Sequence, residues 1–149
     1  MEITTEQIKA LRDKTGVSVM QCRKALTEAC GDAEKAFLLL KKRGAEAAAK
    51  KSGRTLGAGA VASYIHHGAT VGALVLLSSE TDFVSRNPEF QVLARDIAMH
   101  IAAMSPEKDA LLDQPFIKTP DETIRALLER AVQKFGERIE VADFARFAV

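Results

Sequence analysis

The residues that could build a metal site or a nucleophile are few and poorly spaced. Cys22 and Cys30 stand eight apart, outside any CxxC pattern and with no histidine cluster nearby, so both are expected to pack as small apolar groups. His66 and His67 are adjacent in a β-rich run; neighbours on a strand point to opposite faces, which prevents joint ligation. His100 falls on the border between the polar and apolar faces of a helical pattern, where surface or half-buried packing is expected. No phosphate-binding glycine loop, GxSxG elbow or HExxH string occurs. No nucleophile, base and orienting acid come together by spacing. Neither an enzyme nor a metal or cofactor site is expected.

One short stretch remains unexplained by these exclusions. Ser78–Asn87 reads SSETDFVSRN and follows the apolar run VGALVLL. Periodicity alone favours Phe83 as a core residue. Asn87 and Pro88, however, read as an N-cap followed by proline at the first helical position, so Thr81–Arg86 must turn between strand and helix. Phe90 and later residues already supply the helix with apolar anchors. Phe83 is thereby free to project.

The elements around that turn follow from capping signals and hydrophobic period. Thr4 with Gln7 and Ser18 with Gln21 form two capping boxes, and Asp32 caps a third helix. Their stripes are Ile8 and Leu11, then Met20, Ala25, Leu26 and Ala29, then Ala33, Ala36, Phe37 and Leu40, with the third expected to end at Gly44. AEAAAKKSGRTLGAG reads as a short helix fading into a linker. GAVASYIHHG and TVGALVLLSSE read as strands joined by a hairpin at His67–Thr70. Phe90, Leu93, Ala94, Ile97, Ala98, Ile101 and Ala102 follow a helical period that Pro106 stops. Thr119, Pro120 and Glu122 predict a further helix bearing Ile124, Leu127, Leu128, Ala131, Val132 and Phe135. ERIEVADFARFAV predicts a last strand, with a bulge where alternation breaks between Val141 and Phe144. The sum is an α+β chain: a three-helix module over residues 1–55, then a core over 56–149 in which a three-stranded antiparallel sheet packs with helices.

Composition limits the partners. Of 21 Lys+Arg and 20 Asp+Glu, residues 1–55 hold 12 and 7 and the remainder 9 and 13, so a basic front is followed by an acidic back. The basic stretch Lys41–Arg54 is interrupted by Glu46 and alanines and carries no aromatic residue. It is read as a solvated helix end rather than a nucleic-acid surface. The absence of Trp and the single Tyr64 argue against stacking on bases or sugars. No apolar run nears the roughly 20 residues of a membrane span, and Thr4, Thr5 and Glu6 do not suit a secretory signal. A cytoplasmic location is expected.

Taken together, several segments are similar to one family. LRDKTGVSVMQCRKAL (Leu11–Leu26), ETDFVSRN with its preceding strand, RDIAMHIAAMSP (Arg95–Pro106), LLDQPFIK (Leu111–Lys118) and the end beginning KFGERI resemble, in order, the bacterial elongation factor Ts family. The resemblance implies a guanine-nucleotide exchange factor for elongation factor Tu, with an N-terminal ubiquitin-associated-like bundle. It implies that Asp82 and Phe83 of the quartet Thr81, Asp82, Phe83 and Val84 reach towards the Mg²⁺ and nucleotide site of that GTPase. It also implies that Arg12, Val19, Met20 and Arg23 grip the nucleotide-binding domain. The chain departs from the family pattern at Gln21, Arg23, Leu76, Ser79, Ala142 and Asp143, and lacks a helical insertion between Pro106 and Leu111. A binding or chaperone-like module without exchange activity is the alternative on the same scaffold. The hairpin pattern also permits two copies to pair through an exposed sheet face or edge.

Overall fold

Side-chain caps start the first three helices. A computed structural model describes residues 2–149. Helix α1 (Thr5–Thr15) begins at Thr4, whose hydroxyl accepts the Gln7 N–H at 3.2 Å while the Gln7 side chain accepts the Thr4 N–H at 2.9 Å. It ends where Gly16 turns left-handed (φ 69°) and donates its N–H to the Arg12 carbonyl. Ser18 caps α2 (Val19–Glu28) and Asp32 caps α3 (Ala33–Lys51). Between these two helices the chain turns at Cys30 (φ 52°) and Gly31 (φ 81°). Leu11, Val17, Cys22, Ala25, Leu26, Ala36 and Leu40 form the core of this unit. Burial raises the Cys22 thiol above its ordinary value, and the Thr15 hydroxyl beside it opposes that only partly.

Chain contacts divide the molecule into two units. The first comprises residues through Ser52 together with Glu129–Gly136, and the second comprises Gly53–Leu128 and Glu137–Val149. The boundary therefore passes through helix α6 (Ile124–Phe135). Within the first unit Gly44 does not end α3, contrary to the sequence reading; the helix continues to Lys51. A β-carbon at Gly44 would lie 3.2 Å from the Glu129 carbonyl oxygen and 3.3 Å from Gln133 Oε1. Glycine therefore eases a close approach of another backbone, which sets packing against its cost of about 1 kcal/mol in a helix.

In the second unit β1 (Ala58–Ile65) and β2 (Val71–Ser79) form an antiparallel hairpin. Gly68 and Ala69 take the left-handed conformations its turn requires. β5 (Glu140–Ala148) pairs with the other side of β2, giving the order β1-β2-β5. Leu76 faces Asp143 and Leu77 faces Val141, so Ala142 is the extra residue of a bulge where the broken alternation predicted one. Helix α5 (Pro88–Met104), capped by Asn87, covers one sheet face with Phe90, Ala94, Ile97, Ala98 and Ile101, all fully buried. These meet the inward row that contains Ala73, Val75 and Leu77.

The segment after α5 differs from expectation. Thr119, Pro120 and Glu122 do not start a helix: β3 (Pro115–Phe116) and β4 (Thr119–Thr123) form a small antiparallel ribbon, and α6 begins only at Ile124. Thr123 is the cap, its hydroxyl accepting the Ala126 N–H at 3.1 Å. A tertiary contact outweighs the local signal here. His100 is fully buried rather than half exposed, and its Nδ1 accepts the Ile117 N–H at 3.2 Å. Nε2 therefore carries the proton and donates to Gln114 Oε1 at 2.9 Å. Both bonds tie the ribbon to α5, and the one from Ile117 requires a neutral ring.

Burial lowers the His100 pKa from 6.5, and the bond to Gln114 offsets this only in part. The unfolded chain thus binds the proton before the folded one does as pH falls. The contribution of this histidine to stability is full above 6.5 and is lost as pH drops through the folded-state value. Urea unfolding followed from neutrality downward should show this loss, and His100→Gln should remove that part of the slope.

Candidate functional site

The turn after β2 is fixed by its backbone partners. Ser79 is fully buried and donates its hydroxyl to the Thr81 carbonyl at 2.9 Å. Thr81 then precedes a single helical turn, α4 (Asp82–Ser85). Successive helical side chains point about 100° apart, so the four residues cannot share a face. Val84 and Ser85 are each 5% exposed and turn inward. Asp82, Phe83 and Arg86 turn outward, and Phe83 is 84% exposed. Of the TDFV quartet, Val84 therefore packs in the core, while Asp82 and Phe83 face solvent. The Asp82–Arg86 ion pair at 3.4 Å is solvent-exposed at both ends and adds little stability.

Beyond the last ladder pair, Ser78 with Glu140, carboxylates take over the pairing. Glu80 Oε2 accepts the Arg138 N–H at 2.6 Å and lies 3.5 Å from the Arg54 guanidinium. Glu137 accepts the Thr81 N–H at 3.0 Å and the Thr81 hydroxyl at 2.7 Å. Arg138 in turn donates to Glu140 Oε1 at 2.7 Å. Sequence reasoning missed this lattice because its partners lie 56 and 58 residues apart and no local spacing relates them. The KFGERI segment is the local signal that lies nearest to it.

The other expected site residues belong to the first unit and surround the α1–α2 loop. Val17, 1% exposed, pins the loop from below, and the Thr15 hydroxyl accepts its N–H at 3.3 Å. Ser18 then starts α2 so that Val19 and Met20 emerge at its first turn, Met20 80% exposed. Arg12 and Arg23 are exposed on α1 and α2. The result is an exposed apolar pair at the start of α2, with exposed arginines on α1 and α2. Among the described residues no group of three or more His, Cys, Asp or Glu could hold a metal ion, and no helix is long and apolar enough to cross a membrane.

The sheet face opposite α5 is apolar and bare. Its cross-strand rows run Val61–Leu76–Asp143, Ser63–Leu74–Ala145 and Ile65–Gly72–Phe147. Val61, Ile65, Leu74, Leu76 and Phe147 are all exposed. Ile65 lies over Gly72, where a β-carbon would meet its Cδ1 at 2.6 Å.

Comparison with known proteins gives consistent matches. Residues 48–109 match the family model described as Elongation factor TS. The chain is 38% identical to elongation factor Ts of Acetivibrio thermocellus, with 97% of this chain and 89% of that protein aligned. It is 40% identical to that of Alkaliphilus metalliredigens and 38% to that of Geobacter sulfurreducens, in each case over the whole of this chain and 90% of the relative. These alignments run to 191 or 195 positions against 149 residues here, so the relatives carry stretches with no counterpart in this chain.

The burial pattern of α4 separates folding from surface display. Phe83→Ala should leave the thermal midpoint nearly unchanged, because the ring is already in water. Val84→Ala should destabilise by about 2 kcal/mol through lost burial and a residual cavity. Parallel thermal and urea unfolding of the two variants checks the contrast.

Proposed function

The chain belongs to the elongation factor Ts family, and on that premise we propose that this translation elongation factor releases GDP from elongation factor Tu by inserting Phe83. The observation that carries the reading is the exposed ring on a turn whose next two residues are buried. Such a turn is anchored directly behind the ring it exposes. GDP in the GTPase is held by Mg²⁺ and by phosphate contacts, both charge-dense and dependent on well-placed ligands. A ring driven among the side chains that position those ligands loosens them, and Asp82 beside it adds a negative charge close to the phosphates. Burying the ring in the partner contributes about 1.5–3 kcal/mol to the open state. By linkage, GDP weakens binding of the factor by the same ratio by which the factor weakens GDP. No covalent step is involved, and the factor's own residues hold no nucleotide.

Arg12, Val19, Met20 and Arg23 serve as anchorage in this reading. Once they hold the nucleotide-binding domain, delivery of Phe83 becomes intramolecular and gains a high effective concentration. Stopped-flow release of a fluorescent GDP from the cognate elongation factor Tu tests both roles. Phe83→Ala should lower the saturating release rate by roughly 10- to 100-fold. Met20→Ala should instead raise the concentration needed for half-saturation. Binding without any change in GDP release would favour the non-exchanging, chaperone-like alternative.

We further propose that two copies pair through the bare sheet face. Its row of Val61, Leu74, Leu76 and Phe147 is a contiguous apolar surface of the kind that marks an interaction site. Sedimentation equilibrium should show a dimer, and Leu74→Glu should return it to monomer without loss of secondary structure. A monomer at tens of micromolar in the unaltered protein would remove this part of the proposal.

A further inference from the structure

The carboxylate lattice at the end of the sheet has no part in the reading above, yet it holds the turn on which that reading depends. Thr81 has the extended backbone of a helix N-cap (φ −125°, ψ 156°), but its side chain caps nothing in α4. Its hydroxyl is directed instead to Glu137 Oε2, and its N–H to Glu137 Oε1. One carboxylate thus takes both donors of the residue immediately before Asp82, in a two-point contact that fixes direction as well as distance. The Thr81 carbonyl is held from the other side by Ser79, itself fully buried. Glu137 is held in place through its neighbour, because the Arg138 N–H is bound by Glu80 and its guanidinium by Glu140.

We infer that Glu137 is a positioning residue for exchange: its carboxylate fixes Thr81 and thereby the direction in which Phe83 is presented. This rests on the insertion reading but makes a separate claim, that the turn is ordered before the partner arrives. A mobile turn would have to be ordered during insertion and would spend part of the ring's binding energy on it. The clamp removes that cost. It therefore acts on the saturating rate and not on the anchorage.

The full chain with Glu137→Ala should show a saturating GDP release rate lowered about tenfold, with the half-saturating concentration and thermal midpoint close to those of the unaltered protein. Glu137→Gln, which keeps one accepting oxygen, and Thr81→Val, which keeps only the backbone bond, should fall between the two. They also carry the test if the alanine variant does not fold. Combined with Phe83→Ala, the Glu137 change should slow release no further. An equal loss in the Phe83→Ala background, or unaltered release by Glu137→Ala, would overturn the inference. A second readout is independent of exchange. The chain contains no tryptophan, so Phe83→Trp places a single reporter on the turn, and adding Glu137→Ala or Glu137→Gln should lower its fluorescence anisotropy. Unchanged anisotropy would overturn the clamp. An unaltered protein that released no GDP would overturn the exchange reading and leave the anisotropy to decide the clamp.

Discussion

The packing of α5 on the inner face of the sheet is the contact on which everything else in the second unit depends. Five side chains from Phe90 to Ile101 are removed from water entirely, and full burial of a large apolar side chain contributes about 1.5–3 kcal/mol. That contact fixes the exit of β2 and the entry to α5, and so both ends of the segment between them. Leaving Phe83 in water forgoes the gain of one such side chain. The stripe behind it supplies several times that amount. The turn can hold a large ring outward because its stability is drawn from residues that come before and after it.

The polar end of the sheet complements this apolar base. A β-ladder normally ends in unpaired backbone groups, and here two of them are taken up by Glu80 and Glu137. The two carboxylates act reciprocally, each from one chain onto the backbone of the other. In the first unit, burial of Val17 and the Ser18 cap do the corresponding work for Val19 and Met20. In both places an exposed apolar tip lies within three residues of one buried almost completely.

How much of this could be read from sequence depended on how local the cause was. The cap at Asn87 and the period through Ile101 lie within one helix, and they predicted α5 and its buried face. The bulge showed as a break in alternation because Ala142 disrupts the period of its own strand. Gly44 looks like a stop in sequence because its tight contact is with the backbone of Glu129, far along the chain. Thr119 and Pro120 carried a helix-start signal that lost to the pairing of β3 with β4 and to the buried His100. At the site, the position of the turn was legible from its flanking signals, but periodicity alone would have buried Phe83. Glu137 was not legible at all, since nothing in ERIE announces a bond to a threonine 56 residues earlier.

The sheet order β1-β2-β5 also sets a timetable. Its central strand is made early and its third strand last, with Val71 paired to Ala148. As the polypeptide grows from its amino end, the hairpin and the α5 stripe are available to fold first. The turn carrying Phe83 at that stage lacks both the partner strand beside it and the carboxylate that holds Thr81. Non-local pairing of this kind is slow to form. A nascent or prematurely ended chain therefore carries Phe83 before it has either the carboxylate that binds Thr81 or the strand that follows it.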